Sequence, residues 1–264
     1  MANPEYLTLK TERKASTMTG KTSKYLCTAA MAALATSACA ADAEPISYKL
    51  TTGVYQVSSG GLPSGPGLDV NLRTSGGLIG SGNAWIGLYR SPVQAVKQYR
   101  AGWDNTFKFD ALRFTPSLQI ASGGFFGGSA YLEAGSTWFA GAGLGRTNLR
   151  PYANLNFDPN DSYTLAGGYR WSERQSLTLQ VVRDNRLNPD QQHIHVLYRM
   201  PINGEDRLTL DLLNKKGLVA GLPIQKFGLS VGYDWPHFFV RVAYDPLVNF
   251  STQDMVRLSV GTRF

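Results

Sequence analysis

From Phe227 to its end the chain trades apolar and polar residues one by one. Phe227, Leu229, Val231, Tyr233 and Trp235 alternate with Gly228, Ser230, Gly232 and Asp234. Phe238, Val240, Val242 and Tyr244 then alternate with Phe239, Arg241, Ala243 and Asp245, and Val256, Leu258, Val260, Thr262 and Phe264 with Arg257, Ser259, Gly261 and Arg263. A repeat of two over about ten residues predicts a strand whose faces meet different surroundings. The pattern extends upstream through Pro45 to Ser58, Leu68 to Arg73, Ala84 to Trp103, Thr106 to Ser122, Ser129 to Gly135, Ser136 to Thr147, Tyr163 to Trp171, Ser176 to Val182, His193 to Met200 and Arg207 to Leu213. Glycine- and proline-rich links such as GGLPSGPG and GGFFGG punctuate it.

Three local readings carry the strand count. Tyr152, Asn154 and Asn156 oppose Ala153, Leu155 and Phe157, which reads as a strand from Arg150. Asp104-Asn105 reads as a turn, and the shift of apolar parity between Phe109 and Leu112 as a bulge near Asp110. Ser91-Pro92 is either a bulge in one long strand or a break between two. Counting back from the end gives eight strands from Arg150 onward.

Two architectures suit such alternation: a soluble sandwich with its apolar faces packed together, or a membrane barrel with those faces toward lipid and a wet interior. The last eleven residues, DMVRLSVGTRF, end on the aromatic Phe264 with apolar residues at alternate positions before it. They resemble the terminal strand of bacterial outer-membrane β-barrels, which the barrel assembly machinery reads. The resemblance implies an all-β fold, a single antiparallel up-and-down transmembrane barrel in the outer membrane, in contact with lipid and lipopolysaccharide. Such barrels carry an even number of strands, so six before Arg150 make fourteen, with twelve as the alternative. The links around Asp245 to Asp254, Lys215 to Gln225, Asp184 to Gln192 and Asp158 to Asp161 then fall outside the cell.

The N-terminus supports export. Lys21 and Lys24 precede the apolar stretch Tyr25 to Ala40, followed by small residues up to Ala43, the layout of a secretory signal. Residues 1–43 are therefore expected to be an over-extended start plus a cleaved signal, and 44–264 the barrel; Cys39 in Thr-Ser-Ala-Cys leaves a lipoprotein reading open. Both cysteines, Cys27 and Cys39, lie in this segment, so cleavage leaves a chain without disulfides or thiol chemistry. The net charge of +7 is too weak an excess to imply nucleic acid and suits an anion-attracting interior.

Charge and parity give the candidate chemistry. Arg100, Asp104, Lys108, Arg113, Glu133, Arg170, His193, His195, Arg199, Arg207, Asp211, Asp234, Arg241, Asp245, Arg257 and Arg263 all fall on the polar parity. A charge facing mid-bilayer lipid costs ~2–4 kcal/mol, so these are expected to line the lumen. They read either as an arginine ladder guiding small anionic or polar solutes, or as a network sealed by Asp211, Asp234, Asp245 and Glu133. His193 and His195 share a face near Asp158 and Asp161, which allows a divalent cation at the extracellular loops, although no cofactor is required. The same histidines allow a lipid-modifying hydrolase at the rim, but no serine motif accompanies them. A porin-like channel is the leading reading, with a rim hydrolase and a sealed adhesive barrel as rivals.

Overall fold

The computed structural model describes residues 46–59, 64–76, 82–155 and 158–264; the signal reading of residues 1–43, with Cys27 and Cys39, lies outside them. Fifteen strands and one 3-10 turn follow in order: β1 (Ser47–Ser59), β2 (Gly65–Ser75), β3 (Asn83–Ser91), β4 (Val96–Asp104), β5 (Phe107–Phe109), β6 (Leu112–Ala121), β7 (Phe125–Ala134), β8 (Trp138–Thr147), β9 (Ser162–Ser172), β10 (Gln175–Asp184), β11 (Gln192–Pro201), β12 (Arg207–Val219), β13 (Leu222–Asp234), β14 (Phe238–Asp245), the turn at Val248–Phe250, and β15 (Gln253–Arg263). Apart from β4 and β5, consecutive strands pair antiparallel, and β1 pairs with β15 from Lys49↔Arg263 to Ser59↔Gln253. β4 and β5 both pair with β6, at Arg100↔Ala121 to Asp104↔Ser117 and at Phe107↔Phe114 to Phe109↔Leu112. They are two halves of one stave interrupted at Asn105-Thr106, so the sheet closes as a barrel of fourteen staves. Closure removes every edge, which lets backbone polar groups sit in lipid.

Fourteen is the expected number, but its halves differ from the expectation. Residues 148–155 form no strand: Leu149 is left-handed (φ 60), Pro151 lacks an N–H, and the Asn148 side chain accepts from the Arg150 amide. Seven staves therefore follow Arg150 and seven precede it. The additional early stave comes from Ser91-Pro92, a tight turn closed by Ala95 N–H to Pro92 O at 3.1 Å. Asp110 and Asp104-Asn105 exchange the roles expected of them. Asp110 (φ 52) makes the β5–β6 turn, whereas Asn105 continues the stave and donates its amide to Pro116 O. The Lys215–Gln225 link shrinks to the hairpin Ala220-Gly221, both with positive φ (51 and 79) as a two-residue hairpin requires.

The apolar parity faces outward, as expected. Leu258 is 47% exposed between Val54 (42%) and Val242 (49%), its partners on β1 and β14. At the rim carrying Tyr48 and Phe264, rings form a belt: Tyr48 on Phe264, Trp138 on Tyr169, Tyr169 on Trp171, and Tyr233 on Trp235. This is where amphipathic rings meet the membrane interface. Inside, near the opposite rim, Tyr55, Val57 and Tyr89 pack with Leu155, Val248 and Met255. Leu155 and Val248 come from loops, so the core of this barrel is built by two connections folding into the lumen.

Candidate functional site

The loop between β8 and β9 crosses the lumen and is tied to several walls. Gln98 on β4 holds the Ala153 backbone from both sides, donating to its carbonyl at 3.1 Å and accepting from its amide at 2.8 Å. Arg257 on β15 donates to Leu155 O at 3.3 Å. Tyr152 stacks on Phe125 with centroids 4.1 Å apart, and Asp158 reaches His193 and His195 on β11. The Ala153 amide and carbonyl and the Leu155 carbonyl are thus met by lumen side chains instead of a ladder.

The β14–β15 loop folds in beside it. Lys215 on β12, fully buried, donates to Asp245 at 2.5 Å and to the carbonyls of Pro246 and Leu247 at 2.9 and 3.2 Å. Phe250 stacks on His193 at 5.2 Å, and Asn249 donates to Asn154 O at 3.1 Å, joining the two loops. Two cavities flank this layer. One of about 410 Å³ is lined by Lys49, Arg73, Trp85, Arg100, Tyr152, Arg241 and Arg257 with Asp69 and Asp104, among others. The other, about 480 Å³, lies against β6 to β10 and reaches Asp158.

Three of the arginines share one line of register. Arg170 pairs with Ser176, Ser176 with Arg199, Arg199 with Thr209, Thr209 with Gly232, and Gly232 with Arg241. Several of the charged positions are paired: Arg73–Asp104 bidentate at 2.7 Å, Arg100–Asp69 at 2.5 Å, Arg170–Glu133 at 2.9 Å, Arg113 3.8 Å from Glu133, and Arg207–Asp234 at 3.4 Å. Among the described residues, neither Arg199 nor Arg241 has a carboxylate within 4.0 Å. Ladder and network therefore coexist.

The two histidines sit far from lipid. His193 has no exposure, and His195 is held between Asp158, 3.0 Å from Nε2, and Asp211, 3.0 Å from Nδ1. Burial raises the Asp158 carboxyl, but hydrogen bonds to His193 and His195 outweigh it and hold the group below the usual carboxylate range. Phe250 stacks on His193, and no described serine hydrogen-bonds either ring. Asp161, expected near them, turns away to Thr147 and Arg186. Phe264 donates its amide to Tyr48 O at 3.0 Å and closes the β1–β15 seam.

Sequence alone missed Lys215, Gln98 and Phe250. Lys215 was hidden because β12 was ended too early, although Ala220-Gly221 between Leu218 and Leu222 is a hairpin signal. No local pattern marks Gln98 or Phe250, whose partners lie 55 residues away for Gln98 and on β11 for Phe250.

No protein-family model matches the chain, and no curated protein matches it. Among solved structures it is similar to the Acinetobacter baumannii outer membrane protein Omp33 (8% identity, 82% of this chain and 97% of that one, TM-score 0.49). It is also similar to the KdgM porin in complex with disordered oligogalacturonate (12%, 82% and 99%, TM-score 0.44) and to Salmonella typhi OmpF (10%, 83% and 97%, TM-score 0.44). The chain's own wall gives its type: a closed barrel of fourteen staves with apolar side chains outside and charges within has the make-up of a transmembrane β-barrel of the outer-membrane kind.

Proposed function

We propose that the barrel is a passive channel for small anionic solutes, narrowed by the β8–β9 loop. The observation that carries this is the line Arg170, Arg199, Arg241 around the wall, two of whose members lack a carboxylate partner among the described residues. An unpaired guanidinium facing a wet cavity draws in anions, and its planar fork suits carboxylate or phosphate oxygens. The 410 Å³ cavity beneath the loop adds Lys49, 4.2 Å from the Phe239 ring centre, to Arg241 and Arg257. Low dielectric walls strengthen such a field where the passage is tightest.

The test is single-channel recording in planar bilayers under a KCl gradient. Discrete conductance steps with a reversal potential on the anion side are expected. Replacing both Arg199 and Arg241 by Ala should move the reversal potential toward the cation side. Absence of steps would end the channel reading, and an unmoved reversal potential would end the arginine reading. Because exposed charge is screened over about 10 Å at 0.1 M salt, the shift should shrink as salt rises.

A further inference from the structure

Where β11 meets the inward loop, three ligand-bearing side chains converge. His193 Nδ1 and His195 Nε2 lie 2.8 and 3.0 Å from the same oxygen of Asp158. One ligand atom from each of the three falls within 4.8 Å of the others. We propose that Asp158, His193 and His195 form a site for a divalent first-row transition cation of the zinc type, with Asp211 orienting His195.

Donor chemistry selects the class. Two imidazoles and one carboxylate suit Zn²⁺, Ni²⁺ or Co²⁺, whereas Ca²⁺ and Mg²⁺ take all-oxygen shells. The spacing of two residues on a strand points both rings the same way, and the loop delivers the carboxylate opposite them. Ligands around an ion at 2.0–2.2 Å sit about 3.4 Å apart, so each histidine–carboxylate separation needs to open by only about 0.5 Å.

The surroundings are those of a ligand set. His195 has Nδ1 3.0 and 3.2 Å from the Asp211 oxygens, leaving Nε2 for the ion; a carboxylate behind a ligating histidine fixes its tautomer and raises its basicity. His193 is fully buried, and its Nε2 has no hydrogen-bond partner, so no second polar group competes for its ring. Asp158 lines the 480 Å³ cavity, which gives an entry path and room for a water as fourth ligand.

A bound ion would fasten the β8–β9 loop to β11, so its affinity includes the order it imposes on that loop. The site stands apart from Arg199 and Arg241, and its test reads stoichiometry and spectrum, independent of any conductance.

The experiment uses the untagged full chain, stripped with EDTA, folded in detergent and checked by circular dichroism. Titration with Zn²⁺ should show one ion per chain. Asp158→Asn and His195→Ala should each weaken binding at least about 100-fold, and Asp211→Asn about 10–100-fold. His237→Ala, in the β13–β14 turn, should leave it unchanged. Co²⁺ added to the wild-type chain should give the visible bands of a tetrahedral nitrogen and oxygen site, a readout that needs no variant to fold. A chain that takes up no Zn²⁺ at about 100 μM, or binding that survives Asp158→Asn, overturns the proposal.

Discussion

Gly261 shows how a single missing side chain shapes the wall. It lies opposite Phe239 on β14, and a Cβ placed there would meet the Phe239 ring at 2.2 Å and Leu50 O at 2.5 Å. The ring lies over the glycine, and Lys49 and Arg263 lie over the ring at 4.2 and 5.4 Å. Gly261→Ala should therefore cost about 1–3 kcal/mol by overpacking, read as a lower urea midpoint in lipid vesicles. Gly167→Ala, where the added carbon meets only Phe139 O at 3.5 Å, should be close to neutral. Lys215 and Asp245 pose the opposite case, a fully buried pair. Lys215→Met leaves Asp245 desolvated and alone and should destabilise by about 3–5 kcal/mol, with Asp245→Asn in the same chain recovering part of the loss.

The β8–β9 loop is the element on which function turns, and Asp161 anchors its far end. Burial raises the Asp161 carboxyl, but bonds from the Thr147 hydroxyl at 2.5 Å, the Thr147 amide at 3.1 Å and Arg186 at 3.1 Å bring it below its ordinary value. A carboxyl lowered by folding stabilises above its unfolded pKa and loses that contribution as pH falls through the folded value. The anchor should hold at pH 7 and fail below about pH 4. Protease cleavage between 148 and 161 should rise in that window, and Asp161→Asn should reproduce the rise at pH 7. This loop was also the part least legible in the sequence. Tyr152, Ala153, Asn154 and Leu155 alternate as a strand would, because a segment laid across a lumen also has two unlike sides: Ala153 and Leu155 against Tyr55 and Tyr89, Tyr152 against Phe125. The staves were legible wherever lipid enforces parity, as along Val256 to Phe264. Strand order brings the rim links of Asp158 and of His193 and His195 together, so that contact could be placed, whereas the contact of Gln98 with Ala153 leaves no local trace.

At the scale of the whole molecule, one period-two pattern separates two solvents across a single sheet. Arg257 and Leu258 are neighbours midway along β15, yet Arg257 lines the lumen cavity and Leu258 faces lipid beside Val54 and Val242. Exchanging the two, Arg257→Leu with Leu258→Arg, keeps composition, charge and strand propensity. A soluble sandwich, with its apolar faces packed together, would also lose stability, but it would lose it in water and without any dependence on lipid. In the barrel it sets a guanidinium among acyl chains at a cost of ~2–4 kcal/mol and removes a cation from the passage. The exchanged chain should fold into lipid vesicles in lower yield and with a lower urea midpoint than wild type, whereas Arg257→Leu alone should insert normally while losing anion preference and the bond to Leu155 O. Equal insertion of exchanged and wild-type chains would mean that the outer wall does not face lipid, and the channel would lose its physical basis with it.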